Sequence, residues 1–595
     1  MLEHSAARIV IASNVQPKFT LVLLSFLAIA PSVACAQIEQ LAGTYRFLVT
    51  YRDQGQGALG TVQSDAFKGS PYPFSFFSTP EYWGAYVCAL PGNQCAVTDV
   101  YNAGDYTLKP SIGLPGDLQV ERVNTHLGSN IYDAATWQIA VMLGRVKLGF
   151  DARTPNAYEL VSSQNKLLTI PARRALTSGA TFRYNGTSIT TPVHAHAFRM
   201  QADRYIVTDP FVSTRHASLI RAQGLPVGNS EYTQGRITWT DWKPFTGENA
   251  WAFLLGPLHA AYIHHVIEQR RKFIPWNDLA VRNALAVLPT FAAMQSPLGG
   301  VYYAPSGVFA NQGKQLVSPY FVSVENNASL YAGLQVFRAT LQAQIEHAGL
   351  TAGEQQEART ALNLIRVMID GGSLGGRATA GLLTFFKQAA WHQEEFVQGG
   401  YANDPARSTQ WEPVLAPKAV DANTWTIAAL TPKQVDVWFG AGTSLRVWDR
   451  VKRWGGYGQG TALLGVGYSD QDGNGRNEKG LYAQSVLSSE WTAGAITMVR
   501  ALLEHYGARD SLAQDEASML KGLQTLRYDT YLRTAFPGKP DRFATLIPQA
   551  SSPYLYASRR AFVPFGWYAT PLPSTCASAW TLMLAARYDP FRYGG

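Results

Sequence analysis

The sequence has few cysteines, few charged residues and no clustered run of one charge. Only 15% of its 595 residues are Asp, Glu, Lys or Arg, well below the usual quarter of a globular protein, and four are Cys. The 50 basic and 42 acidic residues give a net charge of +8, but the basic residues are scattered. Because nucleic-acid binding uses a clustered basic face, we expect no nucleic-acid partner.

The long apolar run that a membrane-spanning helix requires is also missing. Residues 19–30 are apolar but too short to cross a bilayer, and they follow Arg8 and Lys18. The small residues around Cys35 then provide a cleavage site. We therefore predict a signal peptide at residues 1–36 and a secreted or periplasmic protein without membrane insertion after its removal. Cys35 either leaves with the signal or carries a lipid.

The other three cysteines have different expected roles. Cys88 and Cys95 flank a turn, and in an oxidising compartment we expect them to form a small disulfide loop. Cys576 lies in an apolar helical segment and is expected to be a buried free thiol.

Two parts of the chain carry strand signals. Residues 37–125 are predicted to form a β-rich N-terminal part, beginning with an alternating run at 45–51. A β-rich insertion is predicted at about residues 180–240, where Asn185-Gly186 favours a tight hairpin. Residues 126–595 are otherwise assigned to a helical catalytic barrel.

From about residue 240 the pattern is helical. Short segments that are apolar nearly all round alternate with long amphipathic ones, as expected for inner and outer helices. The predicted outer helices are residues 277–294, 353–369, 432–451 and 513–532. The predicted fold class is mainly α, an (α/α)6 toroid with β-rich N-terminal segments and insertions.

Five of the apolar helix starts carry an acid. These acids are Asp133, Glu248, Glu325, Asp421 and Glu490, and each is followed closely by Trp or Asn. A sixth start, at residues 574–580, has the same composition without an acid. A carboxylate at a helix start can simply cap free N–H groups, and this alternative stays open for each of the five.

In a toroid the parallel inner helices would bring these starts into one funnel. Glycoside hydrolysis requires one carboxyl group that stays protonated and a second that is ionised. We predict Glu325 as the general acid and Asp421 as the general base, with Glu490 and Glu248 as the next candidates and Asp133 as the last.

The 12% content of aromatic residues favours a sugar-binding cleft, with a Trp-rich core as the alternative. The residues expected to bind the sugar are Asp133, Trp137, Trp251, Asn326, Asn327, Trp425, Trp454, Tyr457, Trp491 and Trp567.

Three segments carry a resemblance to a known group of enzymes. Glu-Asn-Asn-Ala-Ser-Leu-Tyr at 325–331, Val-Asp-Ala-Asn-Thr-Trp at 420–425 and Ser-Ser-Glu-Trp-Thr-Ala-Gly at 488–494 resemble inner-helix starts of secreted (α/α)6-barrel glycoside hydrolases. Among these enzymes, the three segments are most similar to those of the endo-β-1,2-glucanases and related families. The resemblance implies an inverting mechanism, no cofactor and an extended glucan substrate, over residues 125–590.

Other functions remain as alternatives. A polysaccharide lyase on the same architecture would eliminate from a uronic acid, and a periplasmic glycan-binding or glycan-assembly protein would use the same aromatic funnel. Gly371 to Gly375 matches the Gly-x-Ser-x-Gly elbow of esterases, with Ser373 as nucleophile and His392 or His505 as its partner.

Metal sites have weak signals, and we predict none. Asp470, Asp472 and Asn474 match the first half of a calcium-binding loop. The alternative is a structural loop that is rich in Asp and Asn. His194 and His196 would lie on one side of a strand and could bind a metal together. The alternative is that both have a structural role. His264 and His265 are not expected to face one site.

Overall fold

The computed structural model describes residues 31–49, 130–150, 157–168, 245–304, 320–374, 376–535, 550–565 and 567–595, with short pieces between 73 and 77, 181 and 221, and 309 and 318. The described chain is mostly helical with several small sheets. Within it, no helix combines the length and the apolar character that crossing a membrane requires.

The helices define most of the architecture. The fourth helix, α4, joins four consecutive segments, of which two are π-helical. In chain order the helices are α1 (Pro31–Val49), α2 (Ile131–Val146), α3 (Ala157–Leu168), α4 (Thr246–Ala250, Trp251–Leu255, Gly256–Tyr262 and Ile263–Glu268), α5 (Leu279–Ala293), α6 (Val324–His347), α7 (Ala352–Asp370), α8 (Leu382–Thr384 with Phe385–Ala389), α9 (Val420–Leu430), α10 (Pro432–Phe439), α11 (Thr443–Gly455), α12 (Ser489–Tyr506), α13 (Asp510–Thr525), α14 (Tyr528–Ala535) and α15 (Thr575–Ala585).

Six of these helices form a continuous series of contacts. Helix α2 packs against α4, α4 against α6, α6 against α9, α9 against α12, α12 against α15, and α15 again against α2. Nearly every residue of α9 is buried, as expected for a helix with neighbours on all sides. The starts of these six helices are the acid-led segments and the acid-free sixth segment of the sequence.

The amphipathic helices lie against this series. Helices α5 and α7 pack on each other, α7 also packs on α6, α11 on α9, and α13 on α12. The predicted helices at 277–294 and 353–369 are confirmed as α5 and α7. The helix predicted at 432–451 is two helices, because Gly440 and Gly442 adopt positive φ angles that end one helix before the next begins. The helix predicted at 513–532 is likewise divided, into α13 and α14.

The strands are short, and most pair in two-stranded antiparallel hairpins. The exceptions are the pairs Asp203–Arg204 with Ile220–Arg221 and Tyr554–Leu555 with Pro573–Ser574, and a three-stranded sheet in which Gly399–Ala402 lies between Trp411–Val414 and Phe321–Ser323. In chain order the strands are β1 (Thr181–Tyr184), β2 (Thr187–Thr190), β3 (Asp203–Arg204), β4 (Val207–Asp209), β5 (Val212–His216), β6 (Ile220–Arg221), β7 (Phe309–Ala310), β8 (Gln315–Leu316), β9 (Phe321–Ser323), β10 (Gly372–Leu374), β11 (Arg377–Thr379), β12 (Trp391–His392), β13 (Glu395–Phe396), β14 (Gly399–Ala402), β15 (Trp411–Val414), β16 (Gly456–Gln459), β17 (Ala462–Val466), β18 (Tyr554–Leu555), β19 (Ala561–Val563), β20 (Trp567–Ala569) and β21 (Pro573–Ser574).

The strand predictions before residue 240 have two outcomes. The hairpin is confirmed, because Tyr184 pairs with Thr187 and leaves two residues between the strands. The strand predicted at 45–51 is wrong for residues 45–49, which belong to α1. Tyr45, Phe47 and Leu48 are buried there, and α1 packs on α2 and α15. Tertiary packing therefore overrides an alternating pattern.

Candidate functional site

The acids at the inner-helix starts are not the N-caps of their helices. In α2, α6 and α12 the caps are side chains two or three residues earlier: Asn130 accepts from the N–H of Tyr132 at 2.7 Å, and Ser323 accepts from that of Asn326 at 3.3 Å. Ser488 caps α12 in the same way. The capping alternative is therefore wrong for the acids of α2, α6 and α12. In α9 the acid Asp421 does accept a first-turn bond, from the N–H of Ala422 at 2.7 Å.

The structure brings all five acids together. Electrostatic contacts join each acid to the next in the order of their helices, from α2 through α4, α6, α9 and α12 and back to α2. We call these five residues the acidic ring: Asp133, Glu248, Glu325, Asp421 and Glu490. Since they are spread over more than 350 positions, only the packing of the helices can place them in one site.

The sixth helix start contributes a thiol to this ring. Cys576 is the second residue of α15, as Glu325, Asp421 and Glu490 are the second residues of their helices. Its thiol contacts Glu490 on one side, and it also interacts with the charge of Asp133. The predicted buried free thiol is confirmed, but it stands in the site rather than in the remote core.

Burial dominates the electrostatics of the acidic ring. Burial, together with the charges of Glu490 and Glu248 and against a hydrogen bond from Ser75, raises the pKa of Asp133 to about 8. Burial and the charge of Glu325 hold the pKa of Asp421 well above its ordinary value. The helix starts supply partial positive charge, but desolvation is the larger effect here.

Positive groups are missing around most of the ring. Among the described residues, no Lys, Arg or His side chain forms an ion pair with Asp133, Glu325, Asp421 or Glu490, and no cation is among the groups that shift their pKa values. Burial and the neighbouring acids raise the pKa values of these four carboxyl groups, which favours their protonated forms at neutral pH.

Hydrogen bonds distinguish the acids from one another. Glu325 accepts from the Asn326 amide at 2.6 Å and from the Ser329 hydroxyl at 2.8 Å. Burial raises the pKa of Glu490 to about 7, while Tyr132, Tyr556 and Cys576 lie near its carboxyl group and lower this pKa. The two tyrosines are functional candidates that sequence reasoning missed. Tyr132 could have been found because it directly precedes Asp133, whereas nothing in the sequence marks Tyr556.

An aromatic layer lies next to the ring, with three of its residues one turn further along inner helices and Phe591 from the segment after α15. It consists of Trp251, Trp425, Trp580 and Phe591, whose ring centroids are 5.5–6.2 Å apart. All four are at least 98% buried, and Tyr132 of the ring region stacks on Trp425. This layer gives the acids an apolar floor.

Several residues predicted to bind sugar belong to the core. Trp137, Trp251, Trp425 and Trp491 are buried, with at most 4% of each side chain exposed, which favours the Trp-rich core over a sugar platform. The Trp137 indole instead donates to the carbonyl of Leu48 at 2.8 Å.

The two asparagines after Glu325 are also structural. Asn327 is fully buried and bonds the N–H and carbonyl of Val301 at 2.7 and 2.9 Å, which corrects its assignment as a sugar ligand. Asn326 accepts from the N–H of Gly247 at 2.8 Å and so links α6 to α4 while it orients Glu325.

The remaining predicted sugar ligands lie outside the ring. Trp454 and Tyr457 are half-buried near the junction of α11 and β16, and neither hydrogen bonds to an acid of the ring. Trp567 lies in β20, and its side chain is outside the described part.

The weaker motifs are structural in this fold. Asp472 accepts from the hydroxyl of Ser469 at 2.9 Å, and Asn474 bonds both the N–H and the carbonyl of Val486, which supports the Asx-rich loop over the calcium loop. Asp470 accepts from the N–H of Lys418. In the described part of the chain no group of three or more His, Cys, Asp or Glu is arranged to hold a metal.

The esterase elbow is contradicted by the order of its elements. Ser373 lies exposed in the β10–β11 hairpin, which follows helix α7, whereas a nucleophile elbow leads from a strand into a helix. His392 lies in β12, and His505 is 3.6 Å from Asp436, so neither is paired with the serine.

Two histidine predictions have different outcomes. His264 and His265 do share one location, because both rings contact Tyr158, at centroid distances of 4.1 and 5.4 Å. They lie in a π-helical segment of α4, so the expectation that they face apart is wrong. His194 and His196 lie outside the described residues, as do Cys88 and Cys95, and the Cys35 side chain is not described.

Comparison with known proteins gives only remote likenesses. No family model and no curated protein matches the chain. Among solved structures it is similar to a glycosidase variant in complex with glucose, at 11% identity over 94% of this chain and 99% of the other, with a TM-score of 0.38.

Two further similar structures carry an organism name. A glucoamylase from Saccharomycopsis fibuligera has 10% identity over 80% of this chain and 89% of the other, with a TM-score of 0.38. A family 76 glycoside hydrolase from a bovine Bacteroides thetaiotaomicron strain has 10% identity over 78% and 69%, with a TM-score of 0.31. Likenesses this low carry no inference about residues or substrate.

Proposed function

We propose that the protein is an exported glycoside hydrolase built on an (α/α)6 toroid, which cleaves a glucan-type polysaccharide or oligosaccharide such as β-1,2-glucan. The observation that carries this proposal is the acidic ring. Five carboxyl groups from five successive inner helices interact next to an apolar layer, and burial holds the pKa values of Asp133, Glu325 and Glu490 near or above neutrality. Such a site offers both a proton donor and an ionised carboxylate at neutral pH.

The hydrogen bonds favour a different division of roles from the one predicted. Asp421 accepts one backbone bond, whereas Glu325 accepts two side-chain bonds that stabilise its charged form. Of this adjacent pair, Asp421 is therefore the one that keeps the proton. We assign Asp421 as the general acid, and the ionised partner comes from Glu325 or Glu490.

The reaction needs only water and the glycan. Asp421 donates its proton to the glycosidic oxygen as the bond from that oxygen to the anomeric carbon breaks, and a water molecule adds to that carbon after losing a proton to the ionised carboxylate. An inverting course is part of the proposal.

The charge of the site favours hydrolysis of a neutral glycan over the lyase alternative. A lyase must neutralise the carboxylate of a uronic acid, usually with cationic side chains, and an anionic sugar beside this ring would be repelled. Four of the five acids have no cationic partner among the described residues.

A substrate screen with two readouts tests the proposal. The purified protein is incubated with neutral glucans, including β-1,2-glucan, and with acidic polysaccharides, while reducing ends and ultraviolet absorbance are followed. We expect new reducing ends from a neutral glucan without the absorbance of an unsaturated sugar. Absorbance with an acidic polymer would establish a lyase instead, and saturable binding without product at any protein concentration would establish a binding protein.

A matched pair of variants ties the activity to the ring. Glu325→Gln should abolish turnover. The control is Glu357→Gln, which removes an exposed carboxylate of α7 that pairs with Arg282 and should leave turnover unchanged. Full activity of Glu325→Gln would exclude that residue from the reaction.

A further inference from the structure

Each oxygen of the Glu325 carboxyl group accepts a hydrogen bond from a side chain of α6. The Ser329 hydroxyl, one turn after Glu325, donates to Oε1 at 2.8 Å, and the Asn326 amide donates to Oε2 at 2.6 Å. Asp421, the neighbouring acid of α9, accepts from the backbone N–H of Ala422 at 2.7 Å. Glu325 therefore has one side-chain donor for each of its oxygens.

The direction of the Ser329 bond is determined by Trp251 of α4. The Trp251 indole N–H donates to the Ser329 hydroxyl oxygen at 3.1 Å. An indole nitrogen can only donate, so the oxygen of Ser329 accepts in that contact and its own proton is available for Glu325. Both side chains are buried, so the protein rather than the solvent sets this orientation.

The direction of the Asn326 bond is determined by Gly247, which also lies in α4. The backbone N–H of Gly247 donates to Asn326 Oδ1 at 2.8 Å, and this contact leaves the amide nitrogen toward Glu325. The same nitrogen also donates to the Ser323 hydroxyl at 3.2 Å. A Cβ atom at position 247 would lie 2.8 Å from Asn326 Cγ, so the glycine permits this close approach of the two helices.

The two donors favour the charged form of Glu325. Burial raises the pKa of Glu325 to about 7, and the bonds from Ser329 and Asn326 lower it. The acids that face it come from α4, α9 and α12, and they are Glu248, Asp421 and Glu490. Like charges disfavour a second ionisation nearby, so the carboxyl group with oriented donors carries the charge and its neighbour keeps the proton.

We propose that Ser329, Asn326 and Trp251 are positioning residues that hold Glu325 as the ionised carboxylate of the site, so that Glu325 rather than Glu490 is the general base. Glu325 takes a proton from a water molecule as the water oxygen bonds to the anomeric carbon. Asp421 gives its proton to the glycosidic oxygen, which keeps the electron pair of the broken bond. This inference rests on the proposed hydrolase function.

The pH profile of kcat/KM tests the serine against a matched control. Ser329→Ala removes the donor to Oε1, so the acidic limb should move up by about 0.5–1 pH unit. Ser329→Thr keeps a hydroxyl and should return the limb toward its wild-type position. Ser444→Ala removes the same kind of bond on the outer helices, from a buried serine to Asp436 at 2.9 Å, and should leave the limb in place.

Two outcomes of this experiment would overturn the inference. One is an unmoved limb in Ser329→Ala in a protein that hydrolyses glycan, which would leave the hydrolase proposal standing. The other is an equal movement in Ser329→Ala and Ser329→Thr, because packing rather than the hydroxyl would then be the cause.

A substrate with a good leaving group separates the base from the acid. Fluoride leaves without a proton, so hydrolysis of a glycosyl fluoride requires the base but not the acid. On the fluoride of the sugar that the substrate screen identifies, Asp421→Asn should retain turnover and Glu325→Gln should lose it. Turnover of the fluoride by Glu325→Gln would overturn the assignment of the base.

A measurement without substrate separates this inference from the hydrolase proposal. The unfolding free energy of Ser329→Ala is compared with that of wild type at pH 5 and pH 8.5. Since the pKa of Glu325 in the folded protein is about 7, the group is protonated at the lower pH and ionised at the higher one. The ionised form depends more on its donors, so the deficit of Ser329→Ala should be larger at pH 8.5.

The outer serine is again the control. Against the effect of burial, hydrogen bonds lower the pKa of Asp436, so this partner of Ser444 is ionised at both pH values and Ser444→Ala should have equal deficits. If no glycan is cleaved but Ser329→Ala shows the larger deficit at pH 8.5, the donor arrangement stands and the hydrolase proposal fails. Equal deficits of Ser329→Ala at the two pH values would refute the inference.

Discussion

The first turn and the second turn of the inner helices have opposite chemistry. The first turns carry the acidic ring, and the residues one turn later carry the aromatic layer: Trp251 is three residues after Glu248, and Trp425 is four residues after Asp421. The two levels are separated by only roughly 6 Å along the helix axis. Titratable groups are thus placed directly on an apolar floor.

The contrast explains how the site keeps protons at neutral pH. Little water reaches the acids, because Asp133, Asp421 and Glu490 are at most 9% exposed and the neighbouring aromatic layer is at least 98% buried. The layer also donates upward: the Trp251 indole N–H bonds Ser329 at 3.1 Å, and Ser329 donates to Glu325. Trp580 likewise donates to Tyr132, which lies near Glu490. Trp251 and Trp425, which the sequence suggested as sugar-stacking residues, instead form the apolar layer next to the acids, and the Trp251 indole holds Ser329 in place.

The largest expected effect comes from the ring itself. Asp421→Asn replaces the proposed proton donor by an amide that cannot give up a proton, and we expect kcat to fall by about 10²–10⁴-fold with the fold intact. The change is measured on the glucan that the screen identifies, with circular dichroism as the check on folding. Asp449→Asn, at an exposed carboxylate of α11, is the control and should be fully active. Comparable activity of the two variants would remove Asp421 from the mechanism.

Breaking the aromatic layer should affect both stability and titration. Trp425→Ala leaves a cavity and should cost about 3–5 kcal/mol of unfolding free energy, measured by urea denaturation. Water entering the cavity should lower the raised pKa values of the acids above it and move the activity profile to lower pH.

Trp448→Ala separates these two consequences. Trp448 is equally buried but lies on the outer helix α11, where its indole bonds Asp515 at 2.8 Å. It should lose similar stability without a shift of the pH profile. A shift of the same size in both variants would mean that the layer does not control the acids.

A smaller effect with a distinctive sign is expected from Asp133. Its pKa is raised to about 8 in the folded state, so between pH 4 and pH 8 the folded protein keeps a proton that the unfolded chain releases. Stability from this group is therefore lost as pH rises. Since each pH unit between the unfolded and the folded pKa costs about 1.4 kcal/mol, Asp133→Asn should raise the unfolding free energy by several kcal/mol at pH 8.5, by about 1.5 kcal/mol at pH 5 and by almost nothing at pH 3.5. The exposed variant Glu346→Gln should show no such pH dependence.

The smallest effect is expected outside both levels. The loop oxygens of Asp472 and Asn474 bond the protein itself, so a chelator should not change the unfolding temperature measured by calorimetry. A decrease that added calcium reverses would restore the calcium-loop interpretation.

Local sequence patterns predict the elements of this protein whose structure depends on neighbouring residues along the chain. The outer helices α5 and α7 follow from their amphipathic spacing, and the hairpin at 184–187 follows from Asn185-Gly186. The break at Gly440 depends on its positive φ angle, which the presence of a glycine permits but does not require. The alternating run at 45–49 misled because a buried helix can also carry alternating aromatic and polar residues.

The sequence by itself determined which helices begin with an acid and that a sixth begins without one. Only the tertiary structure decided that the caps are other residues, that Trp137 and Asn327 are core, and that Cys576 completes the ring. The physical reason is that a one-dimensional pattern specifies which residue occupies a helix position, whereas burial, neighbours and pKa depend on helices from distant parts of the chain. Tyr556 illustrates the limit, since its contact with Glu490 crosses 66 positions and leaves no trace in either local segment.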